Sequence, residues 1–258
     1  EEDGADAARI ALEECVWDGG VAIFPADTVY GLACDPLSEA AVERIHRIKG
    51  RAEGKSSAVM YFAPLAMREL LAGLGPRTLE AVGALLPGPV TLVVANRERR
   101  YPLASREDPG RLGVRLIEGP LAGMPLPVFQ TSANPSGYPA PSSFEQIDAE
   151  IIEAADLAID GGGLGGSPST VVDVAEIDSG GGWRILRAGA MPAVEVDRPL
   201  SAMGEARGQQ EGANARKGEL SRGMPWGGRG LPARRCGGRE RQAEDEDVLE
   251  REHQSSDS

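Results

Sequence analysis

Cysteine is scarce in this chain of 258 residues: Cys15, Cys34 and Cys236 are odd in number and far apart. No Cys-x-x-Cys pair and no Cys/His cluster occurs. That pattern excludes a disulfide framework and a structural zinc site, and it predicts reduced thiols in a cytoplasmic setting. Aromatic residues make up only 4%, so aliphatic side chains must build the core. Positive charge is also in deficit, with a formal net charge of −13. Tight unassisted binding to a nucleic-acid backbone needs a basic face, so that function is excluded while a local basic pocket is not. No apolar run reaches membrane-spanning length and no signal-peptide pattern opens the chain, so no membrane association is expected. The two histidines, His46 and His253, build no Ser-His-Asp or Cys-His arrangement. The sequence opens on Glu1 rather than Met, as in a trimmed or partial product.

What is present is a mixture of helical and strand-like periods. Ala8, Leu12, Cys15 and Val16 predict a helix from Asp6 to Trp17, stopped by Gly19-Gly20. Ser38 is placed to cap a helix whose inner face is Ala41, Val42, Ile45 and Ile48 and which ends at Gly50. Pro64–Ala72 and Arg77–Leu86 read as helices, the second with Pro76 in its first turn. Ser143-Phe144-Glu145-Gln146 reads as a capping box opening a helix to Ala154. Strands are predicted at 21–24, 58–62, 90–95, 112–117, 127–131, 157–159, 170–174 and 183–186. The alternation is not a strict repeat. The expected fold is therefore α/β, a twisted mixed but mostly parallel sheet with flanking helices. Residues 1–198 form the expected catalytic domain. Residues 199–258 are rich in Gly, Arg, Glu and Gln with almost no periodic apolar residues, and they read as a disordered tail.

Several strand ends carry chemistry. Pro25-Ala26-Asp27-Thr28-Val29-Tyr30-Gly31-Leu32 follows the first strand, and a helix then leads to Lys49-Gly50-Arg51, with Lys55 close behind. Hydroxyls and fixed cations at neighbouring element ends suit a phosphate-bearing ligand. The plainer reading is an ordinary turn at Asp27-Thr28 and cations complementing a helix dipole. Arg115 lies in the apolar run Leu112-Gly113-Val114-Arg115-Leu116. It either faces solvent on an edge strand or aims its planar fork at a carboxylate in a pocket. Thr131-Ser132-Ala133-Asn134-Pro135-Ser136-Gly137 offers ligand contacts or turn capping equally well. Pro87-Gly88-Pro89 is architectural, and the strand it opens is assigned no chemistry. The glycine-rich stretch from Asp160 to Gly166 leads into Ser169-Thr170-Val171-Val172-Asp173 without matching a P-loop or a dinucleotide fingerprint. Arg187 ends the last strand.

Taken in order, DTVYGL, KGR with a following loop Lys, GPVTLV, LGVR, TSAN-x-SG, IDGG, STVVD and LR-x-G resemble the YrdC family of threonylcarbamoyl-AMP synthases over roughly residues 5–195. The resemblance implies a twisted α/β sheet around a large, positively charged concave pocket. It also implies a nucleotidyltransferase that joins L-threonine, bicarbonate and ATP, with magnesium (Mg2+), into L-threonylcarbamoyladenylate and pyrophosphate. A partner tRNA threonylcarbamoyl-transferase complex then modifies tRNA, with a weak tRNA contact by the synthase itself. Carried over position by position, Thr28, Arg115, Asn134 and Ser169 resemble the threonine contacts. Lys49, Arg51, Lys55, Ser132, Ser142 and Arg187 resemble the nucleotide contacts, and Lys49, Arg51 and Arg115 the catalytic group. No dedicated metal ligands are implied. The sequence departs from the family at Ala26, where Thr is common, and at Ala52, Ser56 and Ala188, where Pro is common. The two loop changes loosen the segment that carries Lys55. The second domain of longer relatives is not expected. Two other functions compete: a non-catalytic nucleotide- or RNA-binding paralogue of the YciO type, and a carbamoyl-transfer module like that of hydrogenase maturation factors. The latter sits in longer, Cys-rich chains.

Overall fold

The strand segments 22–25, 30–34 and 58–61 are almost wholly buried on both faces, which demands a sheet covered on both sides there. The computed structural model describes residues 2–50, 56–203 and 233–235. Helix α1 (Glu2–Trp17) precedes strands β1 (Ala22–Pro25) and β2 (Tyr30–Cys34), and α2 (Glu39–Ile48) leads to β3 (Ala58–Tyr61). A 3-10 turn at Pro64–Met67 runs into α3 (Arg68–Ala72), followed by α4 (Pro76–Leu85), β4 (Val90–Ala95), β5 (Arg111–Leu116) and β6 (Val128–Ser132). Then come α5 (Ala149–Ala154), β7 (Leu157–Ile159), β8 (Thr170–Asp173), β9 (Arg184–Arg187), α6 (Ala193–Ala202) and β10 (Ala233–Arg235). All ten strands join one sheet in the order β10-β7-β1-β2-β6-β3-β5-β4-β8-β9.

Alternation along the strands sends neighbouring side chains to opposite faces. Ile23, Leu32, Val59, Val114 and Phe129 join the larger core, with Val42 and Ile45 of α2 and Val82 of α4. Ala22, Phe24, Met60 and Val128 join the second core, with Ala8, Leu12 and Val16 of α1. Ser38 caps α2 as expected, its Oγ accepting from Ala41 N–H at 3.3 Å. A cap of this kind contributes about 1 kcal/mol. Lys49 is the C-cap of α2, and Gly50 follows with φ +56, the left-handed conformation that ends helices and that glycine adopts without strain.

Some expectations need correction. The mixed sheet is as expected, but only β1–β7, β3–β5 and β4–β8 pair in parallel, while the other pairs are antiparallel. The parallel share is smaller partly because the consecutive strands β1 and β2, β4 and β5, and β8 and β9 pair directly as antiparallel neighbours. The segment Tyr30–Cys34, to which the sequence pattern assigns no element, is a fully buried strand paired with β1 and β6. The expected capping box is a single 3-10 turn at Phe144–Gln146. The helix after it starts at Asp148, whose side chain accepts from Glu150 N–H at 2.9 Å. At the far end, α6 crosses the expected boundary at residue 198 and buries Val196 and Leu200. Within the expected tail, β10 pairs with β7. The rest of that tail, 204–232 and 236–258, lies outside the described residues. Among the described residues, no helix is long and apolar enough to cross a membrane.

Candidate active site

The turn 26–29 between β1 and β2 is narrow, closed by Ala26 N–H donating to Val29 O at 3.3 Å. It carries Asp27 and Thr28. Asp27 forms an ion pair with Arg115 in the middle of β5. Three strands, β2, β6 and β3, separate β1 from β5 in the sheet order. In a flat sheet, four interstrand steps would hold them about 19 Å apart. The ion pair therefore places the turn 26–29 over the face that presents Arg115. β5 is an interior strand and Arg115 is 2% exposed, so the solvent-facing alternative is ruled out.

A second group of side chains arrives from β8 and β9. Arg187 donates to Ser169 O at 2.9 Å and to Ser169 Oγ at 3.4 Å. Ser169 Oγ and Thr91 Oγ1, at 2.8 Å, share a hydrogen bond. Between β8 and β9 the register shifts, with Val171 opposite Arg187 but Val172 opposite Ile185. Such a bulge re-aims the side chain beside it. Partial burial and the nearby Arg115 charge together push the Arg187 guanidinium below its ordinary value. Gly189 makes this corner possible: a Cβ there would lie within 2.6 Å of Ser169 O and closer still to Pro168 O. The glycine-rich segment between β7 and β8 ties both groups together, because Gly166 N–H donates to Thr28 O at 3.0 Å.

Beside this, the Lys49 amine donates to Ser132 O, to Asn134 O at 2.6 Å and to Asn134 Oδ1 at 3.5 Å. Asn134 Nδ2 donates to Pro135 O at 2.9 Å and Tyr138 O at 2.6 Å. Lys49 and Asn134 therefore spend their polar atoms holding the end of α2 against the end of β6. Ser136 N–H donating to Lys49 O at 2.8 Å strengthens the same join. Tyr30 links the parts. Its N–H donates to Pro141 O, and its O accepts from Ala133 N–H, both at 2.9 Å. Its phenol accepts from Gly161 N–H and donates to Gly162 O, each at 2.9 Å. Ser142 bonds Gln146 Oε1 through Oγ at 3.1 Å, and its O accepts from Leu164 N–H at 2.7 Å.

The structure thus brings Thr28, Arg115, Ser169 and Arg187 to one place, with Lys49, Ser132 and Asn134 in an adjoining join and Ser142 hydrogen-bonded to Leu164 of the glycine-rich segment. Arg51, Ala52 and Lys55 lie outside the described residues. Sequence reasoning missed Asp27, Thr91 and Tyr30 as site residues. The signal for Asp27 was indirect: a charge in an apolar strand requires a buried countercharge. Among the described residues, no group of three His, Cys, Asp or Glu side chains could hold a metal ion.

The chain has relatives with the same arrangement of segments. It is 31% identical over 195 residues to a threonylcarbamoyl-AMP synthase of Pyrococcus abyssi, covering 71% of this chain and 54% of that protein. It therefore spans about half the length of that relative. It is 33% identical over 174 residues to a threonylcarbamoyl-AMP synthase of Pseudomonas aeruginosa, covering 65% of this chain and 90% of that protein. A solved structure of P. abyssi Sua5 complexed with L-threonine superposes with a TM-score of 0.67 at 30% identity, covering 81% of this chain and 60% of the other. The Sua5/YciO/YrdC family model, described as telomere recombination, matches residues 14–189. With the match spanning every segment that builds the site, this chain belongs to the Sua5/YciO/YrdC family.

Proposed function

We propose that this chain is an L-threonylcarbamoyladenylate synthase, which turns L-threonine, bicarbonate and ATP into threonylcarbamoyl-AMP and pyrophosphate. The observation that carries the proposal is the convergence of Arg115, Arg187, Thr28 and Ser169 from separated strands. Arg115 supplies a planar fork for the threonine carboxylate, and Thr28 and Ser169 offer hydroxyls beside it. Arg187, beside Arg115, meets the nucleotide, with Ser132 and Ser142. Arg51 and Lys55 supply the remaining phosphate contacts. Lys49, engaged by the oxygens of Ser132 and Asn134, contributes by holding the 131–137 segment in place and adds positive charge near it.

The chemistry asks for positioning more than for a nucleophilic side chain. A carbamate formed on the threonine nitrogen must meet the α-phosphorus of ATP in line. Holding both reactants in one site removes much of the entropic barrier, and the guanidiniums stabilise charge that develops on oxygen. Magnesium enters with ATP, held by phosphate oxygens and water. The product is a mixed anhydride, so a second enzyme that transfers its acyl group to a tRNA adenosine is the expected consumer. Weak tRNA contact fits the acidic net charge better than tight binding does. A cytoplasmic setting follows from such a role.

Pyrophosphate release from ATP, with threonine and bicarbonate omitted in turn, tests the proposal. Release should require both. Nucleotide binding without threonine-dependent release would instead indicate a non-catalytic binding module.

A further inference from the structure

The ion pair between Asp27 and Arg115 is incomplete. A carboxylate and a guanidinium usually meet through two parallel hydrogen bonds. Here one guanidinium NH2 group meets Oδ1. Arg115 Nε, Asp27 Oδ2 and Thr28 Oγ1 are all buried and have no partner. The side chain of Arg115 is 3% exposed and that of Asp27 17%. Buried polar atoms without partners are rare in folded chains, and among the described residues nothing hydrogen-bonds these three. They are clustered: Asp27 and Thr28 are consecutive, and Arg115 touches Asp27. The cluster presents one cationic donor, one anionic acceptor and one hydroxyl.

That set is the complement of a hydroxylated α-amino acid. In such a molecule the carboxylate and the ammonium are attached to the same carbon, so a reader needs a cation and an anion side by side. We propose that Asp27 is a substrate-binding residue whose carboxylate receives the α-ammonium group, while Arg115 receives the α-carboxylate and Thr28 the side-chain hydroxyl. The assignment rests on the synthase function proposed above and deepens it. Before substrate arrives, Asp27 offsets the charge of the buried Arg115 guanidinium through the ion pair. The turn that carries it is pinned on the outside by Gly166, so the acceptor is fixed in place rather than free to follow the ligand.

The test compares two ligands on the full chain by calorimetry: L-threonine, and β-hydroxybutyrate, which lacks only the ammonium group. Asp27→Asn should weaken threonine binding by ~10-fold or more, as loss of a charge-assisted bond does, and change β-hydroxybutyrate and ATP affinity by no more than about twofold. The preference for threonine then collapses. Equal losses for both ligands would overturn the proposal, because they would show that Asp27 merely props Arg115. Unchanged ATP affinity reports that the variant is folded. Should Asp27→Asn fail to fold, Asp27→Glu carries the test: it keeps the charge but moves the acceptor, and it must lower the threonine preference. If the wild-type chain binds a different α-amino acid, the threonine assignment fails, and the same ratio measured on that amino acid decides for or against Asp27. If it binds no α-amino acid, both fall.

Discussion

Arg115 is a single charge in the run Leu112–Leu116, and burial of an unpaired guanidinium costs several kcal/mol. The need for a partner was legible in the sequence. The partner was not, because Asp27 lies 88 residues earlier and its own neighbourhood reads as an ordinary turn. Tyr30 was hidden in the same way: its position in a motif was visible, but its hydrogen bonds reach a loop 131 residues away. Burial pushes the Tyr30 phenol up to about 12, with the Gly161 N–H bond opposing and the Asp160 charge adding to it. A phenol raised in the folded state contributes stability that is fully present below its unfolded value. That contribution is lost as pH rises from about 10 to 12. Tyr30→Phe should cost about 1–3 kcal/mol near neutral pH by leaving Gly161 N–H and Gly162 O unpaired. It should also remove this residue's share of the alkaline loss. Urea unfolding at a series of pH values measures both effects.

At the scale of elements, the boundary between β8 and β9 does more than continue the sheet. Its bulge places Arg187 against Ser169, and Gly189 lets the backbone turn back past Pro168. Gly189→Ala should displace that corner, lowering kcat/KM by ~10-fold or more and stability by about 1–3 kcal/mol, the range for forced overpacking. Steady-state kinetics and urea unfolding of the variant check this. The sequence read strands β4 and β7 at their observed bounds, and α2 with its cap, because period and punctuation agree there. It missed β2, since a short apolar run of five residues beside turn formers carries no period of its own. It misplaced the start of α5 because Ser143 and Asp148 are both good caps, and only packing of the following turn decides between them. Thr91 was set aside as architecture because its hydroxyl acquires a partner only when β4 pairs with β8.

For the whole molecule, the decisive property is the set of contacts that join distant parts of one sheet. Strand order alone would spread Thr28, Arg115, Ser169 and Arg187 across eight strands, from β1 to β9. The Asp27–Arg115 ion pair joins the turn after β1 to β5, and the segment from β7 to β8 fastens the two sides through Gly166 and Thr28. An acidic molecule with a net charge of −13 can thus hold a local cluster of guanidiniums. Family-level motifs made the site residues nameable from sequence. Their meeting, and the completion of the set by Asp27, belongs to tertiary structure. The convergence itself is tested most directly by a double-mutant cycle on Thr28→Ala and Ser169→Ala, reading KM for L-threonine and for ATP in the pyrophosphate assay. Both single variants should raise KM for threonine and leave KM for ATP within about twofold, and the double variant should depart from additivity by about 0.5 kcal/mol or more, as residues sharing one ligand do. Strictly additive effects, or effects falling on ATP for one variant and threonine for the other, would contradict a single shared amino-acid site.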